Sequence, residues 1–318
     1  MNMNTSQIAF SVIVTTSPGR EQNLAACLAL LKRQLYPPLE VLVIDDGSSH
    51  AKEICRKFEA DLNLSYFWRE NDCCVSKSRN LGAKMAQEEH LVFLDSDMLL
   101  NPHGLAAYAE YLHEFPEHVL YGYFGYVHEY IAPSYFIGSR EVMWCDRRFE
   151  EYNPQGLIPA QNMIRFPHEW AWSGNLAIKK TVYDSIAGFD QEYRGWGGED
   201  LDFAWRLIQK NWQIHFFLDA WAEHQVHNRE EKFHQLSQVQ RNKEYEHQYE
   251  KVNYKVQILH SSEGWKRLKN TIFSHYLKTG RGLSERHQSQ TKTSPLPQSE
   301  SGKNGLKSSK SPADPNAL

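Results

Sequence analysis

Two carboxylates one residue apart, Asp95-Ser96-Asp97, follow the apolar run HLVFL. At a strand end both side chains can turn into one crevice and offer hard oxygen ligands to Mg2+ or Mn2+. An ion held there could in turn hold a diphosphate. An isolated D-x-D is common, and more often a solvated acidic turn that caps the next helix. Context reverses those odds, because Asp45-Asp46-Gly47-Ser48 closes a second apolar run in the same way. Further along, Gly195-Trp196-Gly197-Gly198-Glu199-Asp200-Leu201-Asp202 sets two glycines before three acids. The glycines let the backbone pass close to a ligand and turn abruptly. Free amide groups stabilise carboxylates in a first helical turn, which explains one acid better than three. Asp202 pairs naturally with Arg206 one turn on. Asp200, with Glu199 beside it, is the candidate general base, a carboxylate placed to take a proton from an attacking hydroxyl.

These acids need a scaffold that carries distant stretches to one place. From residue 8 to about 100 the pattern predicts strands at Ile8–Thr16, Glu40–Ile44, Leu64–Trp68 and His90–Leu94, alternating with helices at Glu21–Gln34, Ala51–Ala60 and Ser76–Gln87. Strands as apolar as SVIVTT, VLVIDD and LVFLDSD suit a parallel sheet covered on both faces. In such sheets ligands sit beyond the carboxyl ends of the strands, here Thr15 and Thr16, Asp45 and Asp46, and Asp95, Ser96 and Asp97. The stretch from Tyr121 to Pro167 has no clean period and reads as strands and long loops over a site. Order returns with a strand at Gly174–Lys179, helices at Lys180–Ala187 and Glu199–Gln209, and a strand at Gln213–Phe217. Charged, helical sequence follows from about Glu230 to Leu277. Beyond Gly280 the chain is poor in large apolar residues and is expected to be disordered.

The 318 residues are 41% hydrophobic and 13% aromatic, enough for a sizeable core. A net charge of -4 gives no global reason to expect a nucleic-acid partner. The polar start and the lack of a long apolar run read as a cytoplasmic protein. Five cysteines without a C-x-x-C pair fit neither a disulfide framework nor a zinc knuckle. Between Trp265 and Leu277, apolar residues at helical spacing alternate with Lys and Arg. That segment suits either peripheral contact with an anionic membrane or packing on the catalytic domain.

Four motifs in order, Ser11–Thr16, Val43–Ser48, Ser78–Gly82 and Leu94–Met98, resemble the nucleotide-sugar-binding half of family 2 glycosyltransferases. Gly188-Phe189-Asp190 and the Trp-Gly-Gly-Glu-Asp segment resemble the acceptor-side motif of bacterial chondroitin-polymerase-type transferases and animal β-1,4-galactosyltransferases. The resemblance covers about residues 8 to 232 and implies the GT-A fold: an α/β architecture with a Rossmann-like nucleotide-binding half and a mixed central sheet flanked by helices. It divides the chain into a transferase domain over 1–232 (donor half 8–120, acceptor half 121–232), a C-terminal helical extension over 233–279, and a tail over 280–318.

Carried onto these positions, the resemblance implies that Thr15, Thr16 and Asp46 or Asp45 contact the uracil of a UDP-sugar, with Arg79, Asn80, Ser96, Gly174 and Asn175 near the donor. Asp97 would bind Mn2+ or Mg2+, and Asp95 ribose or metal. His224 or His227 would supply a further metal ligand; the galactosyltransferase pattern favours His227 and the chondroitin-polymerase pattern His224. Trp196, Gly197, Gly198 and Glu199 would meet a glycan or lipid-linked glycan acceptor, although a core tryptophan is as reasonable for Trp196. On an amphipathic helix Arg79 could be a solvated face or a surface ion pair; the sharper alternative is a buried guanidinium beside the diphosphate, with Asp72 as its candidate partner. The related retaining polypeptide transferases have Asn or another residue where Asp200 stands, so the resemblance implies an inverting UDP-sugar transferase. A sugar-nucleotide nucleotidyltransferase would carry a Gly-rich basic loop after the first strand, of which Thr16–Arg20 is a faint echo. A non-catalytic glycan-binding subunit would have lost the acids.

Overall fold

The computed structural model describes residues 8–127, 142–144, 163–166, 171–195, 197–225, 254–259, 261, 263–264 and 266. These residues fall in the compact unit Met1–Arg281. Trp196, His227, most of the 265–278 segment and the tail lie outside them, as does most of the 121–167 stretch.

Four near-continuous apolar runs become β1 (Phe10–Thr16), β2 (Glu40–Asp46), β3 (Leu64–Arg69) and β4 (His90–Asp95). They pair in parallel in the order β3-β2-β1-β4. Parallel pairing brings their carboxyl ends to one edge. Thr16 stands opposite Asp45, and Thr15 opposite Asp95.

The connecting helices are α1 (Glu21–Leu31), α2 (Ala51–Arg56) and α3 (Val75–Met85). Side chains alternate across a strand, so Val12 and Val14 share a face, where they join a core with residues of α1 and α2. Ile13 points the other way, towards α3. A Cβ on Gly82 would come within 2.3 Å of the Ile13 side chain, so the bare glycine is what lets α3 lie flat on β1.

After β4 the chain turns through Ser96 and Asp97 into β5 (Met98–Leu100), then α4 (Gly104–Glu114), β6 (Val119–Val127), β7 (Val142–Trp144) and β8 (Met163–Phe166). β9 (Asn175–Lys179), α5 (Lys180–Ser185), α6 (Glu199–Gln209) and β10 (Ile214–His224) follow. Among the described residues the sheet has eleven strands. With β11 (Tyr254–Leu259), the main order continues β4-β9-β6-β10-β11-β8, with β5 on β10 and β7 on β6. β9 runs antiparallel to both neighbours, making the sheet mixed. On the α3 face Phe93 stacks with Tyr183 of α5 at 5.4 Å, while Phe189 stacks with Phe203 of α6 at 4.1 Å. This aromatic cluster sets α5 and α6 on the sheet beside α3.

Several elements depart from the sequence expectation. α4 and β5 were not expected, and the charged stretch expected to be helical contains β11 (Tyr254–Leu259). β11 pairs in parallel with β10 and antiparallel with β8. Its sequence YKVQIL alternates apolar and polar residues, and period two wins over the helical composition around it. The sheet therefore continues into the segment assigned to a helical extension. β10 also runs seven residues beyond the predicted end at Phe217, through a break in register between Phe217 and Ala222.

Candidate functional site

The β4–β5 turn is the centre of the site. β5 pairs antiparallel with the end of β10, His224 opposite Met98, and Gln225 N donates to Asp97 O at 2.8 Å. That register carries His224 beside Asp97, with Nε2 at 3.6 Å from Oδ2. Two ligands each about 2.1 Å from one ion stand about 3 to 3.5 Å apart, so the pair lies close to the spacing of a shared divalent cation. Among the described residues no third His, Cys, Asp or Glu closes a cage around it. A carboxylate and an imidazole with open positions left for phosphate oxygens and water fit Mn2+ or Mg2+. Burial pushes the Asp97 carboxyl above its ordinary range, with Asp95 adding to the rise while His224 and Arg20 oppose it.

Arg79 joins this turn to the Gly-Gly-Glu-Asp segment at the start of α6. It is 3% exposed, and its Nη2 lies 3.3 Å from Asp95 Oδ1. Its Nη1 lies 3.2 Å from Glu199 Oε1 and 3.0 Å from Asp200 Oδ1. The guanidinium sits 4.9 Å above the Phe189 ring. Burial alone would weaken its hold on the proton, but the three carboxylates outweigh that and raise its pKa. Asp72, the partner expected from sequence, is elsewhere: it binds Arg69 and Lys77. Thr15 Oγ1 donates to Asp95 Oδ1 at 3.0 Å, which ties β1 into the same network.

Gly198, at φ +93°, forms the N-cap of α6, and Gly197 precedes it at +92°. The left-handed backbone that only glycine adopts without cost turns the chain so that Glu199 and Asp200 open the helix next to Arg79. The two acids differ in access. Glu199 is 8% exposed at its side chain and Asp200 19%, so Asp200 is the one open to an incoming group. Burial raises the Asp200 pKa against the pull of Arg79 and Ser173. Asp202 bonds Arg206 Nε at 2.7 Å, the helical pair its spacing suggests.

Burial, then the charge of Asp200, lift Glu199 from its ordinary 4.5 to about 7, with Arg79 opposing. A carboxyl raised on folding contributes stability that is full below its unfolded value and is lost as pH rises through its folded value. Glu199→Gln removes that loss. Its melting temperature relative to the unmodified protein is therefore expected to rise by a few degrees between about pH 4.5 and 8. Thermal unfolding across that window checks this, and a difference that is flat or falls with pH contradicts it.

At the end of β2, Asp45 is fully buried and accepts Ser48 N (2.9 Å) and Tyr66 OH (2.5 Å), which fixes the Asp-Asp-Gly-Ser turn. Asp46 pairs with Arg69, and burial lifts it to about 6 against that pairing. Arg69 ends β3 and went unnoticed in the sequence, although the strand-end rule that selected its neighbours covers it.

Two amides expected near the donor have internal partners. Asn80 Nδ2 donates to Phe189 O (2.8 Å) and its Oδ1 accepts Phe189 N (2.9 Å), clamping the turn before the Gly-Gly-Glu-Asp segment. Asn175 is fully buried, donates to Ala220 O (2.7 Å) and accepts Tyr108 OH (2.9 Å). The irregular part of β10 leaves backbone groups to satisfy, and Asn175 does so together with Asn101. Gly174 O accepts Asp95 N at 3.1 Å, and Ser96 N donates to Thr15 O at 2.9 Å. Thr16, the last residue of β1, is buried.

This arrangement has known counterparts. The family described as "Glycosyl transferase family 2" matches residues 11–167, and one described as "N-terminal domain of galactosyltransferase" matches 158–232. The chondroitin synthase of Escherichia coli is 30% identical over 245 residues, 67% of this chain and 34% of that protein. Among solved structures, Staphylococcus aureus TarS 1-349 in complex with UDP-GlcNAc aligns at a TM-score of 0.55 and 20% identity, covering 88% of this chain and 78% of that one. GalNAc-T7 with UDP, GalNAc and Mn2+ aligns at 0.54 and 16%, covering 71% and 44%. The chain spans from about a quarter to just over half of the curated relatives it matches. It belongs to the family 2 glycosyltransferases and has the GT-A fold. No described helix is long and apolar enough to cross a membrane.

Proposed function

We propose that this chain is the catalytic domain of an inverting glycosyltransferase that moves a hexose or N-acetylhexosamine from a UDP-sugar to a hydroxyl of a glycan acceptor in polysaccharide or lipopolysaccharide synthesis. One observation carries the reading: a single buried guanidinium binds the acid that ends β4 and the two acids that begin α6. Donor-side and acceptor-side carboxylates thus share one crevice. The UDP-GlcNAc held by TarS and the UDP and Mn2+ held by GalNAc-T7 support a UDP-sugar donor and a divalent cation.

In this reading Asp46 and the β1 end hold the nucleoside. Asp200 takes the proton of the acceptor hydroxyl as that oxygen bonds to the anomeric carbon and the bond from carbon to diphosphate oxygen breaks. Attack from the face opposite the leaving group inverts the centre. Asp97 and His224 would hold the cation, whose charge neutralises the departing diphosphate. Arg79 keeps Asp200 ionised and aimed.

The test is thermal unfolding with UDP, with and without Mn2+. UDP is expected to raise the melting temperature by several degrees only when Mn2+ is present, and Asp97→Ala to abolish that rise. No metal-dependent stabilisation of the unmodified protein by UDP would overturn the donor assignment. Turnover of individual UDP-sugars then identifies the donor.

A further inference from the structure

Arg20 stands in the same crevice without a part in the chemistry above. It closes the turn after β1, where its N–H donates to Ser17 O (3.2 Å) and its carbonyl accepts Leu24 N (2.8 Å). Its backbone is thereby fixed at the start of α1. The side chain, 21% exposed, reaches across to the β4–β5 turn and puts Nη1 3.3 Å from Asp97 Oδ2. That is the oxygen 3.6 Å from His224 Nε2. A divalent cation held between Asp97 and His224 would use this oxygen, the one beside the imidazole, and the guanidinium already brings positive charge to it. Two cations at one oxygen repel each other, the more so away from bulk water.

We infer that Arg20 is an exchangeable counter-ion of Asp97, which makes divalent-cation binding depend on the nucleotide diphosphate. Without ligands the guanidinium neutralises Asp97 and competes with the cation. When the cation takes Oδ2, Arg20 is released beside the diphosphate, whose oxygens suit its planar fork. Thr16, the last residue of β1 and 5% exposed, carries a buried hydroxyl without a hydrogen-bond partner among the described residues. The diphosphate thus gives Arg20 somewhere to go. By linkage, UDP tightens the cation by the same factor as the cation tightens UDP.

The nucleotide half of this inference rests on the transferase reading, whereas the competition at Asp97 does not. The experiment measures Mn2+ binding to the full chain by electron paramagnetic resonance, alone and with saturating UDP or UMP, for the unmodified protein, Arg20→Gln and Arg20→Lys. Arg20→Gln is expected to bind Mn2+ alone at least about fivefold more tightly, and to lose most of the further tightening that UDP brings. Arg20→Lys, which keeps the charge, should stay close to the unmodified protein with Mn2+ alone. UMP, lacking the second phosphate, should tighten Mn2+ less than UDP. Unchanged or weaker Mn2+ binding by Arg20→Gln overturns the exchange at Asp97. If Arg20→Gln tightens Mn2+ but UDP does not affect Mn2+ in the unmodified protein, the exchange stands and the nucleotide reading fails. If UDP tightens Mn2+ equally with and without Arg20, the nucleotide reading stands and Arg20 has no part in it.

Discussion

Asp200→Asn is expected to lower the rate of sugar transfer by about 10²- to 10⁴-fold, the range that a positioned general base contributes. Asparagine has nearly the same shape and can still accept from Arg79 Nη1, now 3.0 Å from Asp200 Oδ1. The guanidinium keeps Asp95 and Glu199, so the donor-side geometry should survive. UDP binding in Mn2+ should therefore change little while turnover collapses, a loss in kcat rather than in donor affinity. Calorimetric UDP binding beside single-turnover transfer separates the two. A fully active Asp200→Asn protein would remove the proposed base and turn attention to Glu199. A protein that had also lost UDP binding would mean that Asp200 acts on the donor rather than on the acceptor hydroxyl.

The parallel half of the fold was open to reading because each of its strands is an apolar run ending in polar residues, and parallel pairing leaves one place for those ends. α6 was equally plain, from Glu199 to Gln209, since Gly-Gly marks its start and its acids sit in its first turn. β5 was hidden by its three residues, too short for any period to show. Its pairing with β10 is nonetheless what brings His224 to Asp97. Asn80 and Asn175 illustrate another limit. A polar residue in a motif looks like a ligand-binding group, yet both amides face backbone that local irregularities leave to be satisfied, at Phe189 and at Ala220. Sequence spacing cannot reveal which carbonyls a fold strands.

Ion-pair partners were the least accessible of all. Asp72 lay close to Arg79 along the chain and was the natural guess. The true partners Asp95, Glu199 and Asp200 are 16, 120 and 121 residues away. Only the stacking of α3 and α6 on one face of the sheet, through Gly82 and the aromatic cluster around Phe93, brings them within reach.

That geometry makes Arg79 the position where a single change should cost most. Arg79→Met leaves Asp95, Glu199 and Asp200 facing one another without the guanidinium. Removing one side of a buried ionic cluster typically costs about 3 to 5 kcal/mol, a large share of the 5 to 15 kcal/mol by which domains are stable. A fall in melting temperature of roughly 10 °C is expected, with transfer reduced at least about 10²-fold because the base is no longer held. Arg79→Lys separates charge from shape. One ammonium can neutralise the cluster but cannot span Asp95 on one side and the α6 acids on the other, as Nη2 and Nη1 do. It should recover much of the stability and little of the rate. At a pH high enough to ionise Glu199, adding Glu199→Gln to Arg79→Met removes one of the stranded charges and should restore part of the melting temperature without restoring transfer. An Arg79→Met protein as stable and active as the unmodified one would show that the three acids do not depend on the guanidinium, and the shared crevice would lose its physical basis.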